Sequence, residues 1–161
     1  MGDIIEIKDE EVFPADCILL KTAKADGQVY VETAALDGER NLKPLLVPIE
    51  IQNNFADLFS CDQQSDKQAV GNLGSHTKTP RVEFRVMEPM KDLYTFEGQA
   101  KIQKQDYSAD NGGIVESVKI DVNQFLHSGA VLKNSQRVLC MVVQTGPQTK
   151  LSMNLTKYRI K

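Results

Sequence analysis

The sequence predicts a single, mainly β domain with one or two short helices. Apolar and polar residues alternate with a period of two in several stretches, most clearly in residues 80–89, where Val82, Phe84 and Val86 fall on one face. Turn-forming residues separate these stretches, and only two segments have a helical pattern. At 161 residues the chain is long enough to bury one core, and it shows no internal repeat and no clean domain boundary.

The strand candidates follow one another along the chain with turn signals between them. The pair Asp26-Gly27 favours a tight turn with positive φ, and the Asn-Gly-Gly sequence at 111–113 supplies another turn. We therefore expect strands within residues 3–8, 16–23, 28–36, 80–89, 94–103, 113–122 and 137–146.

Helix is expected in two places. Residues 51–61 have three apolar side chains on one side, and Asn53 or Asn54 would cap the start of that helix. Residues 148–161 can begin a second helix. The polar, glycine- and serine-containing stretch 62–79 is expected to be a surface loop, acting either as a spacer or as a regulatory contact.

Composition and charge exclude several classes of protein. The chain is 41% hydrophobic and 25% charged, with a formal net charge of −3, and its basic residues are scattered. A nucleic-acid partner and a polybasic membrane contact are therefore not expected. No run approaches the roughly 18 to 20 apolar residues of a membrane span, and the N-terminus does not have the pattern of a secretory signal.

The cysteines and histidines do not predict a metal site. Cys17, Cys61 and Cys140 lie far apart, no Cys-x-x-Cys pair is present, and His76 and His127 are the only histidines. We expect three reduced thiols in a cytosolic compartment, two of them inside apolar strands.

One short loop carries the residues of chemical interest. Asp37, Gly38 and Glu39 place two carboxylates around a glycine directly after an apolar strand candidate. Aspartate in a turn can accept the backbone N–H two residues on, which would leave Glu39 projecting as a group able to orient and polarise a water molecule. Taken alone, however, the tripeptide is also typical of an ordinary solvated turn.

Several short motifs surround this loop: Gly2-Asp3, Phe13-Pro14-Ala15-Asp16, Tyr30, Glu32-Thr33-Ala34, Leu36-Asp37-Gly38-Glu39 and Asn41-Leu42-Lys43. Two later segments, residues 93–99 (LYTFEGQ) and 125–151, carry further motifs, whereas residues 44–92 are the least diagnostic. Together and in this order, these segments resemble the actuator domain of P-type ATPases, and in particular their phospholipid-translocating branch, the flippases.

The resemblance implies a fold and a mechanism. Residues 1–161 would be an actuator-type distorted jelly-roll or β-sandwich, a fragment lying between membrane helices at both ends. Glu39 would be the catalytic residue that positions water to attack the aspartyl-phosphate of a separate phosphorylation domain. Gly38 would allow close approach to the phosphate, and Asp37, Arg40 and Asn41 would support the loop.

The chain departs from the family pattern at one position of this loop. Where the family has threonine after the glutamate, this sequence has Arg40. The guanidinium could point into solvent and change little. Alternatively, it could pair with Glu39 and weaken it as a base, or reach the phosphate in the manner of an arginine finger.

The resemblance also implies what the other parts of a complete pump would supply. The phosphorylation motif and a phosphate-binding glycine loop are absent from these 161 residues, so we expect no ATPase activity from the chain alone and no metal or cofactor bound by it. Mg²⁺ and ATP would be used by the phosphorylation and nucleotide-binding domains, at the cytosolic face of a membrane. The phospholipid substrate would be an indirect partner; whether this protein needs the accessory β-type subunit of many flippases stays open.

Two other functions are compatible with the sequence. The chain could be a non-catalytic coupling or regulatory module of a pseudo-pump, in which Arg40 marks lost chemistry. It could also be an unrelated β-barrel interaction domain, in which the loop around Glu39 is merely a turn.

Overall fold

The computed structural model describes residues 1–55, 81–104 and 114–155. Most of the strand predictions are confirmed within these ranges. The predicted loop at 62–79, Cys61, His76 and the turn at 111–113 lie outside the described residues. The strands are β1 (Ile4–Lys8), β2 (Asp16–Thr22), β3 (Gln28–Glu32), β4 (Lys43–Leu46), β5 (Arg81–Val86), β6 (Glu97–Lys104), β7 (Ile114–Asp121), β8 (Phe125–Leu126), β9 (Val131–Lys133) and β10 (Arg137–Gln144).

These strands form three antiparallel sheets. Their orders are β1-β10-β2-β8, β4-β3-β9 and β5-β6-β7. The segment before β2 joins the first two sheets, because Phe13 donates its N–H to Ala130 O over 2.9 Å and Val12 forms an isolated bridge with Val131. The mainly β fold is therefore confirmed, and its sheets surround one apolar core.

The core is built on β2, whose side chains are almost all buried. A strand buried on both faces reads as a continuous apolar run rather than an alternating one, as the sequence CILL does here. Phe125 of β8 stacks on Phe96, with ring centroids 4.2 Å apart, and so ties the segment before β6 to the first sheet.

The turn before β3 has the geometry that its sequence predicts. Gly27 has φ +73°, and the Asp26 side chain accepts the N–H of Gln28 over 3.0 Å. Gly27 also approaches another chain segment closely, because its carbonyl accepts the N–H of Val47 over 2.9 Å. A positive φ and a close backbone neighbour both favour glycine at this position.

The predicted strand at 28–36 is too long. The strand β3 ends at Glu32, and one helical turn, α1 (Ala34–Asp37), follows it. The alanines at its start are the best helix formers, and the Thr33 carbonyl accepts the N–H groups of both Leu36 and Asp37. The apolar residues that suggest a longer strand thus belong to a helical turn.

Each of the two segments predicted to be helical contains a helix, although residues 56–61 of the first segment lie outside the described ranges. The helix α2 (Ile49–Asn54) begins directly after Pro48, so Asn53 and Asn54 lie at its C-terminal end and the prediction that either one caps its start was wrong. Pro48 is the N-cap residue, and its carbonyl accepts the N–H groups of Ile51 and Gln52, so the helix begins upstream of both asparagines. The helix α3 (Lys150–Leu155) lies within the predicted 148–161 segment, whose last six residues are outside the described ranges.

The two described cysteines are free thiols inside the core, as predicted. Cys17 and Cys140 lie on the paired strands β2 and β10, and both are fully buried. A hydrogen bond with Cys140, together with burial, raises the pKa of the Cys17 thiol and keeps it protonated. In the described part of the chain, no helix is long and apolar enough to cross a membrane.

Candidate functional site

The candidate site is the connection between β3 and β4. These two strands pair antiparallel, with Tyr30 opposite Pro44 and Val31 opposite Lys43. The connecting residues therefore leave and re-enter the same sheet at adjacent points. This arrangement makes the loop a protrusion with both of its ends fixed by the sheet.

The helical turn α1 gives the first half of the loop its shape. Thr33 precedes it, and the turn ends at Gly38, whose N–H donates to Ala34 O over 3.0 Å. Gly38 has φ +75° and ψ 0°, the left-handed conformation that commonly ends helices and that glycine adopts without cost. A Cβ atom at Gly38 would have no heavy atom within 4 Å, so the backbone here is open to an approaching partner.

Asp37 is the internal anchor of the loop. Its side chain is only 13% exposed. One carboxylate oxygen, Oδ1, accepts the N–H of Glu39 over 3.0 Å and the hydroxyl of Thr33 over 3.0 Å. The other oxygen, Oδ2, accepts from the ammonium group of Lys43. The predicted bond from Asp37 to the backbone two residues on is therefore present.

Glu39 is the projecting carboxylate of the pair. Its side chain is 59% exposed, and its Oε2 atom lies 3.3 Å from Nζ of Lys43. The loop thus separates two neighbouring acidic residues into different environments, one half-enclosed and one presented to solvent. This is the arrangement that a carboxylate needs in order to reach a group on another domain.

The charges within the loop stabilise one another. Burial acts to raise the pKa of Asp37, but hydrogen bonds from Lys43, the Glu39 amide and Thr33 outweigh it and hold that pKa below its usual value. For Lys43 burial acts in the lowering direction, and the two carboxylates outweigh it and raise its pKa. Asp37 is therefore ionised and Lys43 protonated near neutral pH.

Arg40 and Asn41 do not join this network. Both side chains are exposed, and neither has an ion pair or a hydrogen bond with another residue in the described part of the chain. The cation that pairs with Glu39 is Lys43 rather than Arg40. Of the predicted site residues, the structure thus brings together Asp37, Gly38 and Glu39 and leaves the other two outside.

An apolar pocket of about 80 Å³ lies beside the loop. Asp37 and Lys43 form part of its wall, and so does His127, which directly follows β8. The Nε2 atom of His127 donates to Leu93 O over 2.9 Å, and burial lowers the pKa of this imidazole. Because this ring favours its neutral form, His127 adds no fixed charge beside the loop.

A buried polar cluster lies in the first sheet. Asp16 is fully buried and accepts the N–H of Ser128 and the N–H of Lys150, both over 2.7 Å. The ammonium group of Lys150 donates to the carbonyl oxygens of Met90, Asp92 and Thr95, which attaches the segment before β6 to α3. This cluster holds together three stretches of the chain that are far apart in sequence.

Sequence reasoning gave no role to Lys43. A sequence signal was available, because Lys43 is four residues after Glu39 and six after Asp37. Oppositely charged residues four apart are usually interpreted as a pair on a helix, and this segment was predicted to be a loop. The contact depends instead on the start of β4.

The geometry allows one main chemical task. An exposed carboxylate with a restrained backbone and a neighbouring cation can orient water or accept a proton at a site on another domain or molecule. Within the described residues, no group of three or more His, Cys, Asp or Glu side chains is placed to hold a metal ion.

Comparison with known proteins confirms the resemblance that the motifs indicate. No protein-family model matches the chain. However, phospholipid-transporting ATPase IG of Homo sapiens is 32% identical over 96% of the chain. The phospholipid-transporting ATPase DRS2 of Saccharomyces cerevisiae is 32% identical over 100% of it, and probable phospholipid-transporting ATPase 5 of Arabidopsis thaliana is 32% identical over 98%.

The similarity concerns only one segment of these relatives. The chain covers 12% of the human protein and 10% of each of the other two. Nearly the whole chain is therefore matched, but it spans only about a tenth of the length of these relatives.

Proposed function

We propose that this chain, which is similar over nearly its whole length to one segment of phospholipid-transporting ATPases, is the actuator domain of such a pump. The observation that carries the proposal is the exposed position of Glu39 on a loop whose backbone Asp37 restrains. In this role Glu39 would orient the water that hydrolyses an aspartyl-phosphate on the separate phosphorylation domain. A well-placed general base contributes roughly 10²- to 10⁴-fold to a rate.

Gly38 supports the same role by its open surroundings. The partner domain must bring its phosphorylated aspartate close to the backbone beside Glu39. Open space within 4 Å of the position that a Cβ atom would take at Gly38 allows that approach. Mg²⁺ and cationic side chains of the partner domain would neutralise most of the charge on the phosphate, and ATP would be bound by the nucleotide-binding domain.

The partners follow from this role. The domain would contact the phosphorylation and nucleotide-binding domains of its own chain at the cytosolic face of a membrane. Its rotation would move membrane helices attached at both ends, which couples hydrolysis to release of a phospholipid. An accessory β-type subunit would act outside this segment if the complete pump uses one.

The surroundings of Arg40 favour a catalytic role for Glu39 over a non-catalytic module of a pseudo-pump. Arg40 is exposed and forms no ion pair with Glu39, which pairs with Lys43 instead. The guanidinium therefore leaves the carboxylate free of a second ion pair. We expect Arg40→Thr to leave the rate of dephosphorylation almost unchanged, because the cation that pairs with Glu39 is Lys43.

The test is the decay of the phosphorylated intermediate in the full-length protein. The intermediate is labelled with ATP, chased with unlabelled ATP, and followed in the natural protein, in Glu39→Gln and in Glu10→Gln. Glu10 is a matched control, because it is an exposed glutamate that also pairs with a lysine, Lys133, elsewhere in the domain. Trapping in Glu39→Gln alone supports the proposal.

Equal decay in all three proteins would overturn the catalytic role. The domain would then act as a coupling or regulatory module. The purified 161-residue chain is expected to show no ATP hydrolysis of its own, and measurable turnover that survives Glu39→Gln would contradict the assignment of phosphorylation to another domain.

A further inference from the structure

We infer that Lys43 is a positioning residue that orients the carboxylate of Glu39 for dephosphorylation, an inference that rests on the proposed function. Lys43 touches both acidic side chains of the loop, and none of the sequence motifs assigns it a part in the reaction. Because Lys43 belongs to a strand, its ion pair would restrain the side chain of Glu39, which otherwise projects freely.

The backbone of Lys43 is fixed by the sheet. Lys43 is the first residue of β4 and lies opposite Val31 of β3, which pairs on its other side with β9. Its side chain is 32% exposed, so part of the aliphatic stem is sheltered beside the apolar pocket. The ammonium group therefore starts from a more rigid position than the loop does.

Asp37 fixes the other end of the lysine side chain. Its Oδ2 atom accepts from the ammonium group, and its Oδ1 atom simultaneously holds the backbone of Glu39. Lys43 and Glu39 are thus attached to the same carboxylate through different oxygens. The same ammonium nitrogen lies 3.3 Å from Glu39 Oε2, within ion-pair distance.

Glu39 has little else to orient it. Its side chain is 59% exposed, and the preceding Gly38 has no side chain to pack against it. Without Lys43, the carboxylates of Asp37 and Glu39 would lose the cation that both contact, and Glu39 would sample more rotamers. An exposed ion pair adds little to stability, but small errors in the position of a reacting group reduce rates strongly.

The domain contains a matched control for this lysine. Lys133 also lies at the end of a strand in the same sheet and also faces two carboxylates, Glu10 and Glu32. It does not contact the loop of Glu39. Lys133→Met therefore removes a comparable pair of charge contacts at a place that has no proposed part in the reaction.

The experiment follows decay of the phosphorylated intermediate in the full-length protein with Lys43→Met, Lys43→Arg and Lys133→Met. Lys43→Met is expected to slow decay about tenfold, within the range that misplacement of a catalytic group produces. Lys43→Arg keeps a cation between the two carboxylates and is expected to restore most of the rate, and Lys133→Met is expected to decay like the natural protein.

A double variant separates positioning from direct action on the phosphate. If Lys43 acts only through Glu39, Glu39→Gln combined with Lys43→Met will decay no more slowly than Glu39→Gln alone. A further slowing in the double variant would show direct contact with the phosphate and would overturn the inference. So would an unchanged rate in Lys43→Met, or a rate that Lys43→Arg does not restore.

Failure of this inference is distinguishable from failure of the proposed function. If Glu39→Gln traps the intermediate while Lys43→Met does not slow it, Glu39 keeps its role and Lys43 loses its own. If Glu39→Gln decays normally, both assignments fail together.

Discussion

The Oδ1 atom of Asp37 accepts the backbone N–H of Glu39 over 3.0 Å, while the Glu39 side chain extends away from it into solvent. One acidic residue thus fixes the backbone that presents the other. The same carboxylate also accepts from Thr33 and Lys43, so it joins both ends of the loop between β3 and β4. The loop therefore depends on Asp37 for its shape and, in the proposed function, on Glu39 for its chemistry.

Replacing Asp37 is expected to lower the free energy of unfolding, and the decrease should grow with the number of hydrogen-bond acceptors that are lost. Asp37→Ala removes every one of these bonds and should lower the free energy of unfolding by about 2 kcal/mol. Asp37→Asn keeps an oxygen for the Glu39 N–H but loses the charge that faces Lys43, so its loss should be smaller. Urea unfolding of the two variants measures the difference, and equal midpoints in Asp37→Ala and the natural chain would refute it.

Lys150 is expected to be far more important for stability than the surface lysine Lys133. Lys150→Met removes the ammonium donor to three carbonyl groups. Loss of one partner from buried hydrogen bonds costs about 1 to 3 kcal/mol, and the positive charge that acts on the buried Asp16 carboxylate is lost as well.

The comparison uses urea unfolding of both variants. Lys133→Met should unfold at nearly the same urea concentration as the natural chain, because Glu10, with which Lys133 pairs, is 66% exposed. Similar midpoints for Lys150→Met and Lys133→Met would show that the buried cluster is not important for stability.

Two glycines with similar φ values are expected to differ in their tolerance of alanine. Gly38 has φ +75° and open space around its Cβ direction, so Gly38→Ala should cost about 1 kcal/mol from the backbone conformation alone. At Gly27 the φ is +73° and a Cβ atom would lie 2.9 Å from Val47 O.

In Gly27→Ala the backbone at Val47, just before α2, must therefore shift. The expected decrease in the free energy of unfolding is at least about 2 kcal/mol. Thermal or urea unfolding of the two alanine variants tests the order. A larger loss at Gly38 than at Gly27 would contradict the packing seen around the turn.

His127 is expected to make stability depend on pH in the mildly acidic range. Burial lowers the pKa of His127 in the folded chain, while the unfolded value is about 6.5. Between these two values the unfolded chain binds more protons, so the stability contributed by neutral His127 is complete above about pH 6.5 and is lost as the pH falls through the folded pKa. Asp16, Lys43 and Lys150 also act on this imidazole through their charges.

The variant His127→Gln isolates this effect. Glutamine can still donate to Leu93 O but does not titrate, so the decrease in unfolding free energy between pH 7 and pH 5 should be smaller than in the natural chain. The measurement is urea unfolding at both pH values. An equal decrease in the two proteins would assign the acid sensitivity to other groups.

Much of the fold was predictable because its signals are local. The alternation in residues 80–89 reflects the geometry of one strand, and β5 (Arg81–Val86) lies inside that range. The positive φ of Gly27 follows from the preference of an Asp-Gly pair. The bond from Asp37 to the Glu39 amide spans two residues, so it too could be predicted before the structure.

Predictions went wrong where two local signals competed. The stretch 28–36 has the apolar residues of a strand, but Thr33 and Asp37 bond to each other and Ala34–Asp37 forms a helical turn. The short β4 contains Pro44, which argues against a strand interior, and it forms because it lies at the edge of its sheet. The pattern of apolar residues alone does not decide between a strand and a helical turn, and it does not show which strand lies at the edge of a sheet.

The sequence by itself determined the mainly β class, the likeness to phospholipid-transporting ATPases and the separation of Asp37 from Glu39 into anchor and projecting group. Only the tertiary structure decided that Lys43, rather than Arg40, is the cation beside Glu39. It also decided that Asp16 and Lys150, 134 residues apart, share one buried cluster. The physical reason is that turn and strand preferences act over a few neighbouring residues, whereas these contacts depend on strand register and on packing between distant segments.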